Sequence, residues 1–228
     1  MAQPPGTVSP NPDKAALARA GAMVRRRLAA DPSVHRIAVE GAELFAVGQF
    51  LSPAECDQMI ALIEATARPS TVYAGHSGPD YRTSYSGDVE RSDPFVMMIE
   101  RRIDDLIGLP HEWGETVQGQ RYDPGQQFKD HMDWFHTTSD YWAKEAQLGG
   151  QRSITTMVYL NDVAAGGSTD FPKLGVSVSP QQGALLIWNN MAPDGTPNEN
   201  TLHAGRPVVE GVKYIITKWY RTRRWGHR

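Results

Sequence analysis

Apolar and polar positions follow two different periods along this chain, and the change falls near residue 115. Upstream the spacing is helical. Residues 14–30, KAALARAGAMVRRRLAA, are mostly strong helix formers, with Asn11 or Asp13 available as the cap. In 52-SPAECDQMIALIEATA-67, Ser52 stands at the N-cap, Pro53 in the first turn and Glu55 at the capping-box position. Met59, Ile60, Leu62 and Ile63 then form an apolar stripe. A third helix is expected over roughly 93–107, carrying Phe95, Val96, Met98, Ile99, Ile103 and Leu106, and ended by Leu109-Pro110. Between the first two helices, 35-HRIAVEGAELFAVGQFLS-52 alternates and predicts strands. Residues 70–89 are rich in Gly, Ser and Pro and read as loop or hairpin.

Downstream of 115 the period is two. Short β-rich runs cover 116–122, 127–133, 152–160, 175–179, 184–188 and 213–220, with turn residues between them at 123–125, 149–150, 164–167, 180–183 and 192–198. Helices first and short strands later predict an α+β fold, with N-terminal helices supporting an antiparallel sandwich or barrel. No internal repeat is visible. The expected organisation is a disordered tail over 1–13, a helix and lead-in strand over 14–44, and one domain over 45–225 whose functional core spans 115–222.

Composition narrows the function classes. Net charge is −3, so no overall basic field favours nucleic acid. Cys56 is the sole cysteine, which excludes an intramolecular disulfide and any thiolate metal cluster. No run approaches 18 apolar residues, so no membrane span is expected. The Pro-rich first residues lack an apolar signal core. A cytoplasmic protein is the expectation, with no nucleic-acid or membrane partner.

The densest chemistry lies in 128-FKDHMDWFH-136. His131 and Asp133 are two apart, and on a strand such residues share a face. An imidazole and a carboxylate need one more histidine to make the facial triad that suits non-haem Fe(II) oxygen chemistry. His35, His76, His111, His136, His203 and His227 are the candidates. His136 falls on the opposite face by parity; His203, between a turn-rich loop and the last strand, fits better. An isolated H-x-D also occurs by chance on surface strands. Lys213 opens an otherwise Tyr-, Ile-, Thr- and Trp-rich strand. Such a lysine either protects a sheet edge or meets a carboxylate at the end of a pocket.

Taken in order, Tyr122, His131-x-Asp133, 166-GGSTDFP-172, 183-GALLIW-188, His203, Lys213 and 218-KWYR-221 resemble the prolyl 4-hydroxylase group of Fe(II)/2-oxoglutarate dioxygenases over about residues 45–222. The resemblance implies a double-stranded β-helix, or jelly roll. It also implies Fe(II) on His131, Asp133 and His203, and Lys213 paired with the distal carboxylate of 2-oxoglutarate. Tyr122 and Thr169 would add hydrogen bonds there, and Trp219 would wall that pocket. Arg152, Arg221, Phe128 and Arg82 would lie at the substrate, and the Arg82-Thr83-Ser84 segment is similar to one that precedes a mobile lid in the family, so the turn-rich 74–88 region is a candidate lid. O₂ and ascorbate are the further cofactors implied. The implied reaction hydroxylates an unactivated C–H bond and releases succinate and CO₂; because the carboxylate ligand is present, hydroxylation is favoured over halogenation. Two positions depart from the peptide-acting pattern: Phe128 stands for a tyrosine, and Arg221 for a histidine in some members. The substrate is therefore left among a peptidyl proline, another residue of a peptide or protein, and a free small molecule. A non-catalytic jelly roll is the alternative class, and it predicts a damaged triad or a missing anion anchor.

Overall fold

The computed structural model describes residues 12–71 and 80–226. Three helices come first. Helix α1 spans Lys14–Ala30 and is capped by the Asp13 side chain, α2 spans Pro53–Thr66 behind the full Ser52/Glu55 capping box, and α3 spans Pro94–Ile107 behind Asp93. Gly108, with φ of +73°, ends α3 one residue before Leu109-Pro110. A short α4 follows at Trp142–Gln147. The early strands are β1 (His35–Ile37), β2 (Leu44–Val47), β3 (Ala67–Pro69) and β4 (Tyr85–Asp88). The later ones are β5 (Gln118–Tyr122), β6 (Phe128–His131), β7 (Ile154–Tyr159), β8 (Ala165–Gly166), β9 (Thr169–Phe171), β10 (Val176–Val178), β11 (Leu185–Asn189), β12 (His203–Gly205), β13 (Val208–Glu210) and β14 (Lys213–Tyr220).

Among the described residues the larger sheet runs β1-β2-β11-β7-β14-β5-β4-β3 and the smaller β10-β9-β12-β6, with β13-β8 as a separate pair. From β5 onward the chain passes back and forth between the two main sheets, with β9 and β10 both in the smaller one and β8 and β13 in the separate pair, and all of the named pairings are antiparallel. This is the expected jelly roll, supported by helices. The segment 14–44 is part of it, since β1 pairs with β2 and β2 with β11.

Strand alternation distributes the side chains over two cores. Phe45, Val47, Ile154, Val158, Leu185, Ile187, Ile216 and Tyr220 face the helices and pack with Val24, Leu28, Met59, Ile63, Val96 and Ile99. Their neighbours Leu44, Met157, Tyr159, Leu186, Trp188 and Ile215 face the smaller sheet and pack with Tyr122, Phe171 and Val208. The second face therefore looks into the space between the sheets, where the candidate site lies. At Gly119 a Cβ would come within 2.3 Å of the Ile63 side chain, so glycine there lets α2 lie close against β5.

Candidate metal and co-substrate site

His131 ends β6 and His203 begins β12, and the two are cross-strand partners. Their ring centroids are 4.2 Å apart. His131 donates Nδ1–H to the Lys129 carbonyl at 2.8 Å and His203 donates its own to the Thr201 carbonyl at 2.9 Å. A carbonyl can only accept, so each ring keeps its Nε2 lone pair for a metal. Burial, and then the neighbouring His203 and nearby arginines, lower the His131 value well below the ordinary range, against the opposing Lys129 contact; the ring is neutral. Asp133 completes the set, and ligand atoms of all three residues lie within 4.8 Å of one another.

The route to this geometry differs from strand alternation. The strand stops at His131, and Asp133 sits in the bend beyond it. A change of chain direction, not parity, brings the carboxylate round. Within β6 there is also a register shift: His131 pairs with His203 but Phe128 pairs with Gly205, three residues against two. This bulge turns Phe128 to the His131 side, where the rings stack at 3.5 Å between centroids with 13° between planes. Met132 and Trp134 line the cleft beyond the triad. His136 is exposed and tilts against Trp134. His111 binds Asp104 and His35 sits on β1, both away from the triad; His76 and His227 lie outside the described residues.

Behind the triad a narrow chamber runs between the sheets, lined by Tyr122, Met157, Thr169, Trp188, Lys213, Ile215, Thr217 and Trp219. Four of these, Lys213 to Trp219, come from alternate positions of β14. That strand lies inside the larger sheet, between β7 and β5, so the edge-strand reading of Lys213 is overturned. Lys213 is 1% exposed. Its Nζ lies 5.3 Å and 5.5 Å from the ring centres of Tyr122 and Tyr159. Among the described residues it has no carboxylate or hydrogen-bond partner. Burial pulls its pKa down to about 7, with the Asp170 charge acting the other way. Thr169 accepts from the Tyr159 hydroxyl at 2.8 Å, which leaves its own hydrogen to donate. The Tyr122 hydroxyl donates to Gln120 Oε1 at 2.7 Å, and Gln120 donates to Thr217.

In front of the triad opens a cleft of about 740 Å³. Arg82 stands where chamber and cleft meet, with its guanidinium 4.8 Å from the Phe128 ring centre and bonded to Gln118 Oε1 at 3.0 Å. The segment around it is stitched to β6 by Thr83 N–H to Gln127 O and Lys129 N–H to Tyr81 O. Of the expected 74–88 lid, residues 74–79 lie outside the described residues. Arg152 lies 4.0 Å over the Trp219 ring and grips Glu115 with two bonds of 2.6 and 2.7 Å.

Arg221 is a correction. It does not line the cleft: the strand ends at Tyr220, and Arg221 turns inward to Glu115, Glu145 and the Gly150 carbonyl, 1% exposed. Burial opposes the charge on Glu115, but Arg152 and Arg221 outweigh it and hold that carboxyl below its ordinary value. Residue type and spacing do not single out several residues of this site: Gln120, Thr155, Tyr159, Asn190 and Glu115. The available signal was a polar side chain at a chamber-facing position of a buried strand, as at Gln120 and Thr155.

Sequence and structure comparisons agree with the geometry. A profile of the 2OG-Fe(II) oxygenase superfamily matches residues 117–221. The chain is 35% identical over 196 residues to probable prolyl 4-hydroxylase 4 of Arabidopsis thaliana, covering 75% of this chain and 64% of that protein. It is 34% identical over 199 residues to probable prolyl 4-hydroxylase 3 of the same plant, covering 77% and 68%. Among solved structures, the 2OG complex of viral collagen prolyl hydroxylase from Paramecium Bursaria Chlorella virus-1 superposes with a TM-score of 0.60 at 28% identity, over 77% of this chain and 94% of that one.

Proposed function

The chain belongs to the 2OG-Fe(II) oxygenase superfamily, as a prolyl 4-hydroxylase-like member, and on that premise we propose that it hydroxylates a prolyl residue of a peptide or protein. Fe(II), 2-oxoglutarate and O₂ would be consumed or held in the reaction, with succinate and CO₂ released. The observation that carries this reading is Lys213: a buried lysine with no anionic partner among the described residues, at the closed end of a chamber whose other end is a His-Asp-His cluster. A cation in that position calls for a bound anion. A dicarboxylate reaching from the cluster to Lys213 meets the need, with Thr169 able to donate a further hydrogen bond.

The donor set fits iron. Two neutral imidazoles and one carboxylate on one side of an ion are the ligands of non-haem Fe(II) oxygenases. Bound iron and 2-oxoglutarate supply the oxidising chemistry. His131, Asp133 and His203 would hold the ion, and Lys213 the far end of the co-substrate. Trp219 closes the chamber wall, and Arg152 presses on the outer face of that indole.

The cleft supports a peptide over a free amino acid. Its 740 Å³ is far more than a free amino acid fills, and Trp134, Phe135, Tyr141, Trp219 and Trp225 give it aromatic walls suited to an extended apolar segment. Glu115 engages the guanidinium groups of both Arg152 and Arg221, so the pair does not present a ready clasp for a small carboxylate. The names of the relatives point the same way.

The test is to incubate purified protein with Fe(II), 2-oxoglutarate and a panel of proline-containing peptides and free amino acids. A gain of one oxygen on a prolyl residue, matched by succinate and lost in His131→Ala, is expected. Oxidation of free proline with no peptide turnover would overturn the peptide assignment. Absence of both succinate formation and anaerobic 2-oxoglutarate binding would overturn the whole reading.

A further inference from the structure

Asp133 is held by a relay that the triad alone does not explain. Thr155 lies on β7 at a position facing the site, and its hydroxyl is 2.7 Å from Asp133 Oδ2. An ionised carboxylate only accepts, so Thr155 donates. Having spent its one hydrogen, the Thr155 oxygen accepts from Asn190 Nδ2 at 2.9 Å. Thr155 and Asn190 are both 0% exposed and Asp133 is 6%. The order Asn190 to Thr155 to Asp133 is thus fixed by the number of hydrogens each group has.

Asn190 is an unusual residue to bury there. Among the described residues its Oδ1 has no hydrogen-bond partner, a cost a core normally avoids. Turning the amide over would put an acceptor against Thr155, draw away the hydroxyl hydrogen and leave Asp133 without that donor. The backbone of Asn190 also ties the site together: its N–H donates to the Ser153 carbonyl at 2.8 Å, and its own carbonyl accepts from Asn198 at 3.0 Å. Asn198 in turn begins the short turn that carries Thr201, the residue that orients His203.

We infer that Thr155 and Asn190 are positioning residues for the metal: the relay aims the Asp133 carboxylate at the two imidazoles and tunes its strength as a ligand. Partners of this kind typically govern metal affinity about 10- to 100-fold. The inference rests on the iron reading above, and its test separates the two.

Metal-free protein is titrated with Fe(II) under nitrogen, alone and with 2-oxoglutarate, following the visible absorption of the ternary complex; Mn(II) binding by equilibrium dialysis gives a second affinity. Thr155→Val keeps the shape and removes the hydroxyl. It is expected to weaken both metals about 10- to 100-fold and to shift the absorption band, while the metal-free melting temperature holds. Thr155→Ser restores the hydroxyl and should bind within about threefold of the unsubstituted protein. Asn190→Leu should weaken binding in the same direction by a smaller factor. Unchanged affinity in folded Thr155→Val overturns the inference. If that variant does not fold, unchanged affinity in Asn190→Leu does so instead. Failure of the unsubstituted protein to bind Fe(II) would instead overturn the iron reading.

Discussion

Lys213 shows how one side chain ties stability to binding. Its folded value of about 7 lies below its ordinary 10.5, because burial penalises the ammonium. Between those values the unfolded chain holds more protons than the folded one. On this group's account the ligand-free protein therefore gains stability as pH rises from about 7 toward 10.5. A bound dicarboxylate reverses the preference by favouring the ammonium. At pH 8, binding of 2-oxoglutarate should take up close to one proton, read by calorimetry in buffers of different ionisation enthalpy. Lys213→Met should abolish that uptake and weaken binding about ten- to a hundredfold, the range of a charged hydrogen bond worth about 1.5–3 kcal/mol. Equal uptake by the two proteins would remove Lys213 from the anion site.

At the scale of elements, helix boundaries follow local chemistry. Ser52 and Glu55 satisfy each other's backbone donors at the start of α2, and Arg102 of α3 adds bonds of 2.6 and 3.0 Å to the same Glu55 carboxylate. The Arg102 hydrogen bond is the largest influence, and it helps hold Glu55 at about 2 against its ordinary 4.5. A depressed acid contributes stability that is complete above the unfolded value and is lost as pH falls through the folded one, here from about 4.5 to about 2. Both side chains are partly exposed, so solvent and salt reduce the effect. Glu55→Gln should flatten the acid limb of a denaturation-versus-pH curve in that window, and Ser52→Ala should cost about 1 kcal/mol at neutral pH. An acid limb unaltered in Glu55→Gln would rule the pair out as its source. Strand elements were less legible. The sequence run 127–133 reads as one strand, yet β6 bulges before His131 and ends there.

Across the whole molecule, buried charge links the helical layer to the sheet that carries the site. Lys218 of β14 faces away from the chamber, 1% exposed, and meets Asp104 at 2.8 Å and Glu100 at 3.8 Å on α3. Tyr220 donates to the same Asp104, and His111 does so at 2.7 Å. Thr217 and Trp219, on either side of Lys218, line the chamber. Lys218→Met would leave the Asp104 and Glu100 carboxylates without their buried cation. A loss of about 3–5 kcal/mol is expected in chemical denaturation, the usual result of deleting one partner of a buried pair. A loss below about 1 kcal/mol would show that His111 and Tyr220 suffice to hold Asp104.

The sequence by itself determined the layered plan and pointed to the candidate ligand residues. Helical spacing and caps placed α1 to α3, period-two runs placed the main strands, and His131, Asp133, His203 and Lys213 could be named from residue type and order. These are local properties, set by neighbours within a few positions. Tertiary structure alone decided how they meet. Cross-strand register set His131 against His203, and a bend beyond the strand aimed Asp133. A bulge turned Phe128 onto His131, and Arg221 was drawn from the cleft into the core by Glu115 and Glu145. Each outcome depends on which distant groups come into contact and how much water they lose, and neither is encoded in the spacing along the chain.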